Sequence, residues 1–349
     1  NKAVPLAIIG GTTHRSVRVN RELYIESKKV LTDNQVASQY ASFYEYEHGG
    51  AGILYKVEDE REPFGYSLWT FSLNLYGKIG GLAWIVKQIL SKDTEKTIDL
   101  SIGFRFARKN GTEGQKYYVG HATIIDRFGR LVGIVTSKPF TASQAEMVTE
   151  GMIVPKATME NIVLSALQLA FSDPRVNDNL KAKKKLNITI FNLYRFDPNQ
   201  EVRGILSALN SIRESGPVKF EEVRVGLISI ISRPSYFLFN DNEILSETGR
   251  ALVLNKNSLL VYTAKREAKL VYPIVAHIQN FESSNCVFDT LEEAGNHILA
   301  LANLHWQSAI SGGTRLPAPL IFAQNVARMY KNHIYPPLGS WLENTLWFI

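Results

Sequence analysis

Lys78-Ile79-Gly80-Gly81 sets an ammonium directly ahead of two glycines. A lysine at the end of a helix, followed by residues without a Cβ, brings positive charge and close backbone to one point, which suits a phosphate. Arg328 and Lys331, with Arg315 before them, flank the last helical segment and are candidates for further phosphate contacts. Lys181, Lys183, Lys184 and Lys185 form the densest basic run. It reads either as a contact to a nucleic-acid backbone or as a solvated loop ahead of a strand. His14, Arg15, Arg18, Arg21, Lys28 and Lys29 read as the solvated face of a helix in preference to a phosphate site.

Other chemistry is sparse. There is no Gly-x-Ser-x-Gly, no complete Walker A loop, no His-Glu-x-x-His and no Gly-x-Gly-x-x-Gly. None of the 7 histidines lies three or four residues from another, which argues against a helix-borne metal site, and His121 falls inside a strand. Asp126, Asp197 and Asp289 stand beside turns or helix starts, where aspartate caps or turns. A single cysteine, Cys286, excludes a disulfide framework and a cysteine-based zinc cluster, and fits a reducing, cytoplasmic setting.

The 349 residues are 45% apolar and 21% charged, a globular composition with material for two cores. No stretch approaches the roughly 18 to 20 apolar residues of a membrane span, so no membrane insertion is expected. The start at Asn1 lacks a signal-peptide layout, and the missing Met leads us to expect residues upstream. Net charge is +6, and residues 1–66 hold 8 Lys/Arg against 9 Asp/Glu, so the positive excess lies after residue 66. Such an excess is compatible with phosphate binding and with ordinary solvation.

The elements that must position these residues fall into two groups. Val4 to Ile9 and Ala51 to Tyr55 read as short buried strands with a helix between them, and Ser67 to Tyr76 as a helix. From residue 97 three strands follow in series: Ile98 to Ala107, Lys116 to Asp126 and Leu131 to Thr136, joined by glycine-containing turns. A helix over 156–172 carries the stripe Met159, Ile162, Val163, Ala166, Leu167, Ala170. Then come a strand from Leu186 to Leu193, a helix over 199–214 burying Ile205, Leu206, Leu209 and Ile212, and a strand from Val223 to Ile231. Three antiparallel strands, helix, strand, helix, strand is an RNase H-like order. Strands near 251–263 and 271–279, a helix after the capping box Thr290/Glu293, and a helix after Pro317-Ala318-Pro319 complete the chain.

Three segments carry a family resemblance. Lys78-Ile79-Gly80-Gly81-Leu82-Ala83-Trp84 resembles the Lys-Leu-Gly-Gly-x-x-Trp junction between the MID and PIWI domains of Argonaute proteins. Ile102-Gly103-Phe104-Arg105, with Tyr117 to Gly120 and Asp126 to Gly129, resembles the first PIWI hairpins. Leu316-Pro317-Ala318-Pro319 through Ala327 is similar to the PIWI helix start Pro-Ala-Pro-x-x-Tyr-Ala-His. The resemblance covers residues 67–349 well and 1–66 poorly. It implies an α/β chain: a partial Rossmann-like MID region over 1–90 and an RNase H-like PIWI domain over 91–349. The layout resembles a short prokaryotic Argonaute, a class that typically lacks nuclease activity and works with a separate effector subunit.

The resemblance also assigns roles. Lys78 matches the lysine that holds a guide 5′-phosphate, while the lysine four residues earlier is Asn74 here. A divalent cation such as Mg²⁺, held partly by the carboxylate of the terminal Ile349, supplements the lysines in some members. Metal-ion cleavage needs carboxylates for two ions. The family's three acid positions are Arg105, Leu193 and Gln324 in this chain, so no catalytic residue is assigned. Arginine there repels a divalent cation. Arg105, Lys184, Lys185 and Arg315 are expected on guide or target backbone, and Arg328 and Lys331 near the guide phosphate. The expected function is guide-strand binding (RNA or DNA), recognition of a complementary target and signalling to a partner in defence against invading DNA, without slicing. An active nuclease with displaced acids and a protein-binding scaffold are the alternatives.

Overall fold

The computed structural model describes residues 6–10, 16–45, 51–53, 72–78, 96–110, 116–141, 147–148, 151–177, 182, 184–232, 234, 249–263, 273–304, 316–337 and 345–348. The chain forms two compact units, one of Asn1–Ala83 with Arg328–Ile349 and one of Trp84–Ala327.

In the first unit β1 (Leu6–Gly10) leads through α1 (Ser16–Asp33) to β2 (Gln39–Glu45), which lies parallel to it. A parallel neighbour requires a crossover, and α1 supplies it. β3 (Ala51–Ile53) adds antiparallel to β2, so the order is β1-β2-β3. Strand β2 was not expected, because Gln-Tyr-Ala-Ser-Phe-Tyr-Glu has no clean two-residue alternation. A short helix, α2, spans 72–78 with Lys78 as its last described residue; the rest of the helix expected from Ser67 lies outside the described residues.

The second unit is built on one long sheet. β4 (Thr97–Asn110), β5 (Lys116–Asp126) and β6 (Leu131–Thr136) form the antiparallel meander. The turn closing β5 to β6 holds Gly129 at φ +85° and is tied by Asp126, whose Oδ1 accepts the N–H groups of Phe128 and Arg130, both at 2.9 Å. β7 (Phe140–Thr141) pairs with β5, and β8 (Met147–Val148) with β9 (Gly151–Met152) forms a separate hairpin. After α3 (Lys156–Ser172) and α4 (Pro174–Asn177), β10 (Lys185–Asn192) lies parallel to β4; after α5 (Glu201–Ser215), β11 (Glu222–Ile231) lies parallel to β10. β12 (Arg250–Asn255), β13 (Ser258–Tyr262) and β14 (Ile274–Ile278) extend the far edge, in the order β12-β13-β14-β11-β10-β4-β5-β6. The expected strand order is therefore present.

One face of this sheet is the core. Ile98, Leu100, Ile102 and Phe104 of β4 pack with Ile188 and Ile190 of β10 against Met159, Ile162, Val163, Ala166, Leu167 and Ala170 of α3. Each of the larger side chains among them contributes about 1.5 to 3 kcal/mol on burial. α5 adds Ile205, Ala208, Leu209 and Ile212. Leu206, expected in that stripe, is 43% exposed, because one residue turns a helix by about 100° and carries it off the face. On the other face α6 (Leu291–Ala302), opened by the expected Thr290/Glu293 capping box, and α7 (Ala318–Lys331) follow the last strands.

Glu201, the first residue of α5, is buried and accepts the N–H of Asp197 at 2.8 Å and of Val154 at 3.3 Å. Burial pushes its carboxyl up from 4.5 to about 7, against those two bonds and with help from the charge of Asp197. A folded value above the unfolded one means the folded chain holds the extra proton. The stability from this group is complete below about pH 4.5 and is lost as pH rises through about 7. We expect this group to make the wild-type chain less stable at pH 8 than at pH 5 by on the order of 3 kcal/mol. Glu201→Gln should flatten that dependence in urea denaturation at the two pH values.

Candidate nucleic-acid interface

In the first unit, two helices each present a lysine inward. α2 carries Asn74 and Lys78 four residues apart on one face, 5% and 1% exposed. α1 carries Tyr24 and Lys28 at the same spacing, with the Lys28 ammonium 5.5 Å from the centre of the Tyr24 ring and Lys28 1% exposed. Lys78 Nζ donates to the Ser38 carbonyl at 2.5 Å. Burial lowers Lys28 to about 8, opposed by its interaction with Lys78 and aided by the charge of Arg328. Burial, then the charge of Lys28 and the interaction with it, hold Lys78 well below the usual lysine range. Asn74 Oδ1 is buried and has no hydrogen-bond partner among the described residues.

Two cationic side chains buried together are costly unless an anion joins them. This corrects the expectation for the basic stretch before residue 30: Lys29 is exposed, but Lys28 faces inward and meets Lys78. The doublet Lys28-Lys29 hides that difference. The available signal was Tyr24, Lys28 and Thr32 at four-residue steps, a polar stripe on the inward side of a helix.

In the second unit, Arg105 lies on β4 opposite His121 of β5 and is half-buried. The parallel register pairs Gly103 with Phe191, so Arg105 is level with the end of β10, where Asn192 and Leu193 stand. Asn192 is buried and its Oδ1 accepts the N–H of Leu193 at 2.9 Å. Gly103 lies directly under the start of α7: a Cβ there would sit 2.3 Å from the backbone of Pro319, whose carbonyl also accepts Thr123 Oγ1 at 2.5 Å. Gln324 is exposed on α7. Asp99, two turns of the pleat before Gly103, accepts Asn187 Nδ2 at 2.9 Å and pairs with Arg127 at 3.0 Å. Among the described residues no group of three or more His, Cys, Asp or Glu side chains is placed to hold a metal ion.

No protein-family model and no curated protein matches this sequence. Among solved structures, the chain is similar to an Argonaute in a crystal structure described as Aa-Ago with externally bound siRNA, at a TM-score of 0.59 and 16% identity. The fold is Argonaute-like. The match covers 99% of this chain and 41% of that one, so the chain spans about two-fifths of its structural neighbour.

Within this Argonaute-like fold the remaining expected contacts divide. Arg328 and Lys331 are exposed in the last turn of α7, and Arg328 lies near enough for its charge to act on Lys28. Lys184 pairs with Glu221 at 2.6 Å and Lys185 with Glu222 at 3.0 Å, so both charges are already balanced by acids in place. Arg315, Lys181, Lys183 and the terminal Ile349 lie outside the described residues, as do the two glycines after Lys78. Trp347 and Phe348, just before the terminus, are buried. No described helix is long and apolar enough to cross a membrane.

Gly103 is where this arrangement is least tolerant. Gly103→Ala forces a methyl into the Pro319 backbone and is expected to cost about 1 to 3 kcal/mol. Gly120→Ala meets the side chains of Phe106 and Ile162, at 2.8 and 2.9 Å, which can move. Urea denaturation of the two variants should rank Gly103→Ala as the more destabilised.

Proposed function

We propose that this chain is a short Argonaute-like protein that holds a small guide strand by its 5′-phosphate and presents it for pairing with a complementary target, without cutting that target. The observation that carries the reading is the buried Lys28–Lys78 contact with Asn74 beside it and the charge of Arg328 acting on it. A phosphate would bring negative charge and acceptor oxygens to this cluster. The similarity to an Argonaute fold supports a nucleic-acid ligand. Base pairing would then supply sequence discrimination, while the protein reads the backbone.

The proposal that cleavage is absent rests on Arg105, Leu193 and Gln324 at the three positions where the family resemblance expects acids, and on the prior engagement of Asp99 by Arg127 and Asn187. A chain that captures a target without cutting it has to pass the event on, so a partner effector subunit in defence against invading DNA belongs to the same proposal.

Two measurements test it. Lys28→Met and Lys78→Met should each weaken binding of a 5′-phosphorylated oligonucleotide by roughly 10- to 100-fold, the effect of losing a charge-assisted hydrogen bond. The 5′-hydroxyl strand should lose much less; equal loss for both strands would remove the phosphate assignment. Incubation of the guide-loaded chain with labelled complementary target and Mg²⁺ or Mn²⁺ should leave the target intact, and a guide-dependent cut would show that acids elsewhere act.

A further inference from the structure

Strand β12 ends the long sheet, with β13 along one side of it. An edge strand offers a row of backbone N–H and C=O groups to a further strand, and proteins usually blunt such an edge with proline, charge or a bulge. Between Arg250 and Lys256, β12 runs Ala251-Leu252-Val253-Leu254-Asn255, with neither proline nor charge. Its bulge, between Val253 and Asn255, leaves Leu254 with no residue opposite it in β13. Leu252, Val253 and Leu254 are 39%, 63% and 40% exposed. They are consecutive, whereas the other exposed large apolar residues described in the second unit stand singly in the sequence.

We propose that β12 is the contact between two copies of this chain, which pair antiparallel along this edge about a two-fold axis at Val253. The symmetry and the sequence agree on a second copy. Identical strands paired antiparallel in one sheet are related by an axis normal to it, so each face continues across the join and one residue must lie opposite its own copy. Leu252-Val253-Leu254 reads the same in both directions about Val253, which is the self-complementarity an isologous contact requires. With Val253 on the axis, each Leu252 meets the Leu254 of the other copy, and the three exposed apolar residues cover one another. The ends match too. Arg250 falls beside Lys256 of the other copy, whose ammonium is held by Glu282 at 2.8 Å, so an acid accompanies the two cations. Each copy spends its β12 edge on the other, and the assembly closes at two. A ladder of the six residues of β12 lies at the low end of what a stable dimer needs, so dimerisation is expected between about 1 and 100 µM.

Sedimentation velocity tests this on the full chain, stripped of nucleic acid beforehand so that no strand bridges two copies. Monomer should give way to dimer across that concentration range. Val253→Lys sets like charges opposite each other on the axis and should raise the dimer Kd at least about tenfold. A disulfide trap reads the register. Directly opposed residues of an antiparallel pair have Cα atoms about 4.5 to 5.5 Å apart, within the span of a disulfide. Val253→Cys should therefore form a covalent dimer under copper–phenanthroline, while Asn255→Cys, four residues out of step with its own copy and about 13 Å from it, should not. The native Cys286 is buried. A chain that stays monomeric throughout the range overturns the proposal, as does a dimer that survives Val253→Lys unchanged. Cross-linking of Asn255→Cys in preference to Val253→Cys overturns the axis at Val253. If Val253→Lys fails to fold, wild-type sedimentation and the Val253→Cys trap still decide.

Discussion

Strand β4 has to be satisfied on both edges and both faces at once. Its edges pair with β5 antiparallel and with β10 parallel, so its backbone is committed to both neighbours. Its even-numbered residues, Ile98 to Phe104, go into the apolar core under α3 and α5. Its odd-numbered residues are polar or absent and are matched one by one: Asp99 with Asn187 and Arg127, Ser101 with Thr189 at 3.1 Å, Gly103 with the backbone of Pro319. His297 of α6 reaches the same row, with Nε2 2.9 Å from Thr189 Oγ1 and its ring stacked on Phe191. A buried polar face of this kind is stable only when each group has a partner. That requirement fixes where α6 and α7 lie on the sheet, and it leaves Asp99 engaged in holding strands together rather than facing a ligand.

The first unit contains the opposite situation. Lys28 and Lys78 are buried side by side, and burial lowers both below the usual lysine range. Burying two basic groups together lowers stability, and perturbed titratable groups of that sort cluster at functional sites. The two lysines come from helices separated by some forty residues in sequence, and the carbonyl of Ser38, just ahead of β2, positions one of them. The βαβ arrangement of β1, α1 and β2 therefore does more than cover a small sheet. It sets Lys28 against α2.

Much of the second unit was legible because periodicity and turn residues agree there. The α3 stripe, the β5 and β6 ends and the Thr290/Glu293 box stand where the spacing put them. Leu206 departed because hydrophobicity alone does not say which of two adjacent apolar residues lies on the buried face of α5. β2 was hidden by mixed aromatic and polar residues whose partner strand, β1, is thirty residues away. Lys78 was legible from the glycines that follow it. Lys28 was not, because a lysine looks solvent-facing in any linear reading, and only the packing of α1 against α2 reveals that it is buried. Lys184 and Lys185 show the converse, since the acids that balance them, Glu221 and Glu222, come from the start of β11 and the residue just before it.

We propose that the buried lysine pair holds the phosphorylated end of a strand. Purifying the native chain, extracting whatever nucleic acid accompanies it and sequencing that material with its 5′ ends typed tests this most directly. Short strands carrying 5′-phosphates are the predicted result. Strands with 5′-hydroxyl ends, or a chain that purifies free of nucleic acid and takes up no phosphorylated strand afterwards, would contradict it.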